Sequence, residues 1–357
     1  MRECFRLAAK GKGYVSPNPL VGAVLVRKGV IVARGYHKRF GDAHAEVECL
    51  RAYSGSLAHT TLYVNLEPCS HDGKTPPCAD LIIQRGIKKV VVAMKDPNPH
   101  VAGKGIAKLR RAGVEVVTGV LKAEALRLNR WFVTNITARR PYVHLKIAQT
   151  RDGFIGRNNA PLQYITSLPS RKLVHRWRSE YDAVLVGAGT IRADNPLLNV
   201  RLAKGRDPAV VVLDGRLSVS GEERVFASAK TRAVLLCTSI QAERKHRNKI
   251  STLRSRGVSV LSFASRAGEL NLRQVLRELY KRKIGSLLVE AGSTTVMQFL
   301  DKRLADELSI FISPKVYGEG VPLLAGKIAG QLQSFMQTTI CSMRKVGNDL
   351  LVTGTIQ

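Results

Sequence analysis

Short β-branched runs alternate with amphipathic stretches along almost the whole chain, and the alternation stops once, at the charged, proline-ended TARRP of residues 137–141. Before that break, LVGAVLVRKGVIVARG (20–35) reads as a hairpin around Lys28-Gly29. HAEVECLRAY then has helical spacing, followed by a strand (TLYVNL), a helix (CADLIIQRG), a strand (KKVVVAM), a helix (GIAKLRRAG), a strand (VEVVTG) and a helix through AEALRLNRWFVTNI. After the break the pattern restarts. Strands are expected at YVHLKIA, AVLVGAG, AVVVLDG, AVLLCTS, SLLVEAG, LSIFIS and DLLVTGTIQ, with helices such as SRKLVHRWRSEY and NLRQVLRELYKRK between them. Such alternation marks α/β layer folds. At 357 residues the chain exceeds a typical domain of about 100 to 200, so we expect two domains, 1–140 and 141–357.

Six cysteines are too few and too scattered for a disulfide framework. Cys4, Cys49, Cys237 and Cys341 read most simply as free or buried thiols. Cys69 and Cys78 differ: they end the segment LEPCSHDGKTPPC (66–78), downstream of His44 and Glu46 in HAE. One imidazole and two thiolates suit a single tetrahedral zinc with its fourth position left for water, while Glu46 is an acid placed to handle that water's protons. Each fragment alone is weak, and the plainer reading is cysteines that merely pack or cross-link. In the order H-x-E, P-C, C they match the signature by which zinc deaminases attack an amino-substituted ring carbon.

The insert SHDGKTPP between the cysteines, with SPNPLVGAVLV upstream and DPNPHVAGKG downstream, resembles the bifunctional riboflavin-biosynthesis deaminase/reductase family. Ordinary cytidine and tRNA adenosine deaminases space the two cysteines as C-x-x-C. The resemblance implies a cytidine-deaminase-like three-layer domain followed by a dihydrofolate-reductase-like α/β domain. It also implies that Asn18, His37, His71 and Lys74 meet the pyrimidine and its phosphoribosyl arm. Asn18 and His37 are open to a plainer reading as turn residues.

In the second half, VGAGT (186–190) and VEAGST (289–294) are β-like runs ending in glycine and hydroxyl residues, which by themselves read as glycine turns. HLKIAQTRDG, YITS, GAGTIRADNPLLNVR and LLVEAGSTT stand in the family's order for a reductase that uses NADPH. By that resemblance Gln149, Tyr164, Thr190, Asp194 and the loop Gly292, Ser293, Thr294, Thr295, Val296, Met297 and Gln298 face the cofactor. Arg178, Leu198, Arg201 and Glu290 face the substrate, and Lys146 stands near the reacting ribose. Lys146 has a plainer reading as one half of an ion pair. Tyr164 stands where relatives carry tryptophan, and Gly215 where they often carry serine, so one hydrogen bond to the cofactor is expected to be missing.

The implied activity is two consecutive steps. The first is zinc-dependent hydrolytic deamination of 2,5-diamino-6-(5-phosphoribosylamino)pyrimidin-4(3H)-one. The second is NADPH reduction of the ribosyl group to 5-amino-6-(5-phosphoribitylamino)uracil. The rivals are a nucleic-acid base deaminase, favoured by a net charge of +30, and a non-catalytic zinc-stabilised RNA-binding protein. The cysteine spacing and the reductase-like second half oppose the first, and in the second Glu46 would be dispensable, which Glu46→Gln tests. The densest basic stretches, ERKHRNK (243–249) and YKRK (280–283), lie beside helical patterns and read as solvated faces or polyanion contacts. The partner expected is therefore a small phosphoribosyl-pyrimidine and not nucleic acid, in a homo-oligomer. No apolar run approaches the roughly 20 residues of a membrane span, and the first residues lack a secretory apolar core, so a cytoplasmic protein is expected.

Overall fold

The computed structural model describes residues 1–70, 77–99, 101–157, 163–323 and 339–356, with the side chains of 339–341 left aside. The chain divides into two compact units, Met1–Arg140 and Pro141–Gln357.

In the first unit the elements run α1 (Arg2–Ala8), β1 (Gly22–Arg27), β2 (Val30–Tyr36), α2 (Ala45–Arg51), β3 (Thr60–Leu66), α3 (Cys78–Gln84), β4 (Lys89–Met94), α4 (Lys104–Arg111), β5 (Glu115–Thr118), α5 (Lys122–Leu128) and α6 (Arg130–Ala138). The strands form one sheet in the order β2-β1-β3-β4-β5. β1 is antiparallel to β2 and β3, and β3, β4 and β5 are parallel. Lys28 and Gly29 both take positive φ, the primed turn that a two-residue hairpin favours. Alternate residues of the strands put Leu25, Leu62, Val64, Val90 and Val92 against α2, α3 and α4. The opposite face carries α1, through Cys4 and Leu7 on Val24, and α5, through Ala125 beside Ala93. Helices on both faces make the three layers. The single helix expected over 123–136 is broken at Asn129, whose side chain holds the backbone N–H and carbonyl of Leu20. A residue used as a tertiary clasp cannot also sit quietly in a helix.

The second unit contains β6 (Tyr142–Gln149), β7 (Phe154–Gly156), α7 (Leu168–Glu180), β8 (Ala183–Gly187), α8 (Ala188–Asp194), β9 (Ala209–Leu213), α9 (Arg224–Ala227), β10 (Val234–Ser239), α10 (Ile240–Lys245), α11 (Arg247–Ser255) and β11 (Ser259–Phe263). It continues with β12 (Ser265–Arg266), β13 (Glu269–Leu270), α12 (Leu272–Lys281), β14 (Ser286–Val289), α13 (Ser293–Asp301), β15 (Glu307–Ile312), β16 (Val321–Pro322), β17 (Thr339–Val346) and β18 (Asp349–Thr355). Among the described residues nine strands form one sheet, β11-β10-β9-β8-β14-β6-β15-β18-β17. From β11 to β15 it is parallel, and β18 and β17 close it antiparallel. On β6 the alternation is plain: Val143, Leu145 and Ile147 enter the core with α12 and α13, leaving Tyr142, His144 and Lys146 for the other face. On that other face α7 packs through Val174 and Trp177 on Phe311 and Leu351.

Three expectations change here. The strand in AVLVGAG stops at Gly187 and becomes α8. The loop expected over Gly292–Gln298 is the start of α13, with Gly292 as its N-cap. β11 and β17, which the sequence did not announce, extend the sheet at both edges. Among the described residues no helix is long and apolar enough to cross a membrane.

Candidate active sites

In the first unit two helix starts meet. His44 is the N-cap of α2 and Cys78 is the first residue of α3. Cys69 lies in the segment after β3, tied to α3 by a hydrogen bond from Ala79 N–H to its carbonyl. His44 Nδ1 is 3.3 Å from Cys78 Sγ and 3.6 Å from Cys69 Sγ, and the three ligand atoms all lie within 4.8 Å of one another. Tetrahedral zinc with bonds of ~2.3 Å to sulfur and ~2.0 Å to nitrogen needs nitrogen–sulfur separations of about 3.5 Å, so these residues fit it. Cys78 N–H also donates to Cys69 Sγ at 3.3 Å. Hydrogen bonding from Cys78, then from His44, holds the Cys69 thiol down to about 4, while Cys69 and burial push the Cys78 thiol up. A sulfur facing a helix start and an imidazole is a ready thiolate.

Glu46, in the first turn of α2, is 3% exposed. Burial, and then the charge of Cys69, push its carboxyl up to about 7. Beside it His37 is buried, its ring edge-on to His44 with centroids 5.7 Å apart. His37 Nδ1 lies 3.1 Å from the Ala43 carbonyl, which can only accept, so Nδ1 carries the proton and Nε2 accepts from Asn18 Nδ2 at 3.1 Å. Burial holds its pKa down, in keeping with a neutral ring. Both His37 nitrogens are thereby used inside the protein, and its effect is to aim Asn18. His71 and Lys74 lie outside the described residues.

One residue of this unit gave no sequence signal as a partner. Glu67, buried next to Pro68 and Cys69, accepts the backbone N–H groups of Asp96, Gly103, Gly105 and Ile106 at 2.9–3.2 Å. A carboxylate shared by four amides pins the ligand segment to the start of α4. Gly105 is required there, since a Cβ would meet the Pro68 carbonyl oxygen at 2.0 Å.

The second unit gathers its cluster from distant parts of the chain. Glu290, directly after β14, receives Arg178 of α7 in a two-pronged pair, Nε to Oε1 at 2.6 Å and Nη2 to Oε2 at 2.9 Å. Lys146 Nζ of β6 stands 3.7 Å from the same carboxylate. Burial works to raise the Glu290 pKa, but the charge and hydrogen bonds of Arg178, with Lys146, overrule it and hold it at about 2. The Lys146 pKa is lowered too, but by burial and against the pull of Glu290, so its charged form is the one disfavoured. Asp194, at the end of α8, is pushed up by burial, with Lys146 opposing.

Arg178 Nη1 also donates to the Asn199 carbonyl, and Arg201 Nη1 to Asn199 Oδ1. Leu198, at a positive φ of 53°, is fixed by Arg232 donating to its carbonyl. Tyr164 is half exposed, with its hydroxyl 3.4 Å from Arg201 Nη2.

β6, β8 and β14 are parallel neighbours, and Gln149, Gly187 and Glu290 stand at or just past their carboxyl ends, the edge where open α/β sheets bind ligands. Gly187 and Gly292 open α8 and α13 there. A Cβ on Gly187 would meet Thr295 Oγ1 at 2.6 Å, and one on Gly292 only Thr190 Oγ1 at 3.8 Å, so the two helix starts face each other closely. Among the described residues no side chain caps α13, and a helix start without a side-chain cap suits an anion. Val296 and Met297 are buried in the core, which limits them to backbone contacts. Gln298 follows in the same helix, half-buried.

Residues 1–94 match the cytidine and deoxycytidylate deaminase zinc-binding region, and residues 141–352 match the RibD C-terminal domain. The riboflavin biosynthesis protein RibD of Aquifex aeolicus is 43% identical over 324 residues, covering 90% of this chain and 88% of its own. That of Actinobacillus pleuropneumoniae is 39% identical over 99% of this chain and 93% of its own. The chain belongs to the RibD family. The crystal structure of a Thermotoga maritima diaminohydroxyphosphoribosylaminopyrimidine deaminase/5-amino-6-(5-phosphoribosylamino)uracil reductase superposes with a TM-score of 0.87 at 39% identity, covering 100% of this chain and 97% of that one. Acinetobacter baumannii RibD gives 0.88 at 32% identity, with the same coverage. As a RibD enzyme the chain is a deaminase and reductase of riboflavin biosynthesis that uses zinc and NADPH.

For this RibD chain, Gly215 has a steric explanation. A Cβ there would meet the Gly268 carbonyl oxygen at 1.9 Å, so the β12–β13 turn occupies the space that a serine side chain needs.

Proposed function

We propose that the two clusters divide the two reactions, with the deaminase chemistry in Met1–Arg140 and the reductase chemistry in Pro141–Gln357. The observation that carries the proposal is the convergence of His44, Cys69 and Cys78 beside a buried glutamate whose proton affinity lies near neutrality. His44, Cys69 and Cys78 would hold the zinc. When bound, zinc supplies a Lewis acid that makes a water acidic enough to react at neutral pH. Glu46 takes a proton from the attacking water and delivers it to the departing nitrogen, so that the ring C–N bond breaks, a C–O bond forms and ammonia leaves. Asn18, held by the neutral His37, orients the pyrimidine.

In the second unit NADPH, when bound, supplies the hydride, and the glycine-opened starts of α8 and α13, with Gln149, Tyr164, Thr190 and Asp194, would hold it. Lys146, its ammonium destabilised by burial, gives a proton to the ribose ring oxygen as the ring opens. Glu290 keeps Arg178 and Lys146 in place, and Arg178, Leu198 and Arg201 bind the substrate. A homo-oligomeric, cytoplasmic enzyme that does not act on nucleic acid belongs to the same proposal, and light scattering on the purified chain checks the first part.

The test is ammonia release from the diaminopyrimidinone substrate followed by NADPH oxidation in one cuvette, in the wild type, Glu46→Gln and Lys146→Met. The wild type should do both. Glu46→Gln should keep its zinc and lose ammonia release, yet oxidise NADPH when given the aminouracil. Lys146→Met should do the reverse. Ammonia release that survives in Glu46→Gln would end this assignment.

A further inference from the structure

Arg171, His175 and Arg178 follow one another along α7 at spacings of four and three residues, so they share one stripe of the helix. Arg178 is committed to Glu290. Arg171 is not so committed among the described residues. Its guanidinium carbon lies 4.1 Å from the centre of the Tyr164 ring, and its Nε is buried without a hydrogen-bond partner. Among the described residues no carboxylate pairs with it. Arg201 is in the same condition: among the described residues its guanidinium reaches only the Tyr164 hydroxyl and Asn199 Oδ1. Tyr164 therefore stands between two guanidiniums, its ring under one and its hydroxyl against the other.

His175 joins the pair from below. Its Nδ1 accepts the backbone N–H of Arg201 at 3.1 Å, fixing that residue to α7. Only an unprotonated nitrogen can accept, and burial, with the charges of Arg178, Arg201 and Arg171, holds the ring's pKa down to about 4. Around this neutral imidazole stand Arg171, Arg178, Arg201 and, behind them, Lys146, with Glu290 as the facing acid. Such an excess of positive charge suits a doubly charged ligand better than a carboxylate. Two planar guanidiniums suit phosphate in particular.

We propose that Arg171 is a specificity-determining residue of the reductase site, forming with Arg201 a two-guanidinium clamp for a phosphate monoester, and that His175 is the positioning residue that holds Arg201 in it. The proposal rests on the reading of Arg201 as part of the reductase site. A phosphate monoester occurs in both reactants, on the phosphoribosyl arm of the substrate and as the 2′-phosphate of NADPH.

The experiment measures KM and kcat of the zinc-loaded full chain for the aminouracil with and without its 5′-phosphate, and for NADPH and NADH. The variants are Arg171→Gln, Arg201→Gln, His175→Leu and His175→Asn, with ammonia release as the control for folding. Arg171→Gln should raise KM about 10- to 100-fold for one phosphorylated reactant, leave its unphosphorylated counterpart unchanged and keep kcat within about twofold. A rise confined to the phosphorylated aminouracil assigns the clamp to substrate, and one confined to NADPH assigns it to cofactor. His175→Leu should raise the same KM, and His175→Asn, whose Oδ1 can accept the Arg201 amide, should restore it. If Arg201→Gln raises KM while Arg171→Gln leaves all four values unchanged, the clamp is refuted. If Arg201→Gln also changes nothing, the reductase-site reading of Arg201 itself falls. An equal loss of kcat for every reactant in His175→Leu would mark a merely structural histidine.

Discussion

Glu46 and Glu290 are both buried glutamates at the centre of a cluster, and their proton affinities move in opposite directions. Glu46 has two thiols and an imidazole around it, and burial raises it to about 7. Glu290 suffers the same burial, yet Arg178 and Lys146 bring it to about 2. Burial alone therefore does not decide what an acid can do; its charged neighbours do. The first suits the proton-carrying role proposed for it near neutral pH, and the second is a permanent countercharge. The largest expected effect breaks the first role: Glu46→Gln should cut ammonia release about 10²- to 10⁴-fold, the range for loss of a general acid–base. Zinc content, measured by atomic absorption, should be unchanged. A loss of metal instead would make Glu46 a fourth ligand.

Glu290→Gln should act chiefly on stability. Removing it leaves Arg178 and Lys146 buried without their acid, at a cost of about 3–5 kcal/mol to the second unit. Calorimetry should show that unit melting earlier, with NADPH oxidation lost. Glu46→Gln should not destabilise the first unit at pH 8, because among the described residues no Lys or Arg side chain pairs with Glu46 and the neutral amide carries no buried charge. If both substitutions destabilise alike, the contrast between the two acids fails.

The two clusters were also unequally legible in the sequence. His44, Glu46, Cys69 and Cys78 fall within 35 residues and use side chains whose chemistry is specific, so their order alone suggested a zinc site. Lys146, Arg178 and Glu290 come from β6, α7 and the end of β14, and nothing local marks any of them. Only family resemblance picked them out of 57 basic and 27 acidic residues. Resemblance did not announce Glu67, Arg171 or His175, whose roles depend on partners that only the folded chain brings near. It also could not show that the segment it implied for the cofactor is a helix start, because Ser293–Thr295 read equally well as a turn.

The support for the zinc segment gives the next effect. Gly105→Ala places a methyl group against the Pro68 carbonyl, where backbone on both sides is held by Glu67. Overpacking of this kind costs about 1–3 kcal/mol. It should lower zinc affinity and ammonia release together and leave NADPH oxidation alone. Zinc affinity unchanged, by competition with a chelator, would show that Glu67 does not position Cys69.

The smallest effect is the one that sharpens the contrast most, because it needs no mutation. With the Glu46 carboxylate as the proton acceptor, kcat/KM for ammonia release should fall about tenfold for each pH unit below about 7. Glu290 stays ionised down to about 2, so it should put no inflection into the NADPH oxidation profile between pH 5 and 8. The linked stabilities follow with opposite signs. Glu46, raised in the folded state, contributes stability that is present below its ordinary value of 4.5 and lost as pH rises through about 7. Glu290, depressed, contributes stability that is present above 4.5 and lost only as pH falls toward about 2. Acidification from pH 8 to 5 therefore restores the Glu46 contribution and leaves that of Glu290 nearly whole. An ammonia-release limb near 4.5 would mean that the Glu46 carboxylate is solvated or paired in the working enzyme, and the difference between the two acids would then lie in their positions and not in their proton affinities.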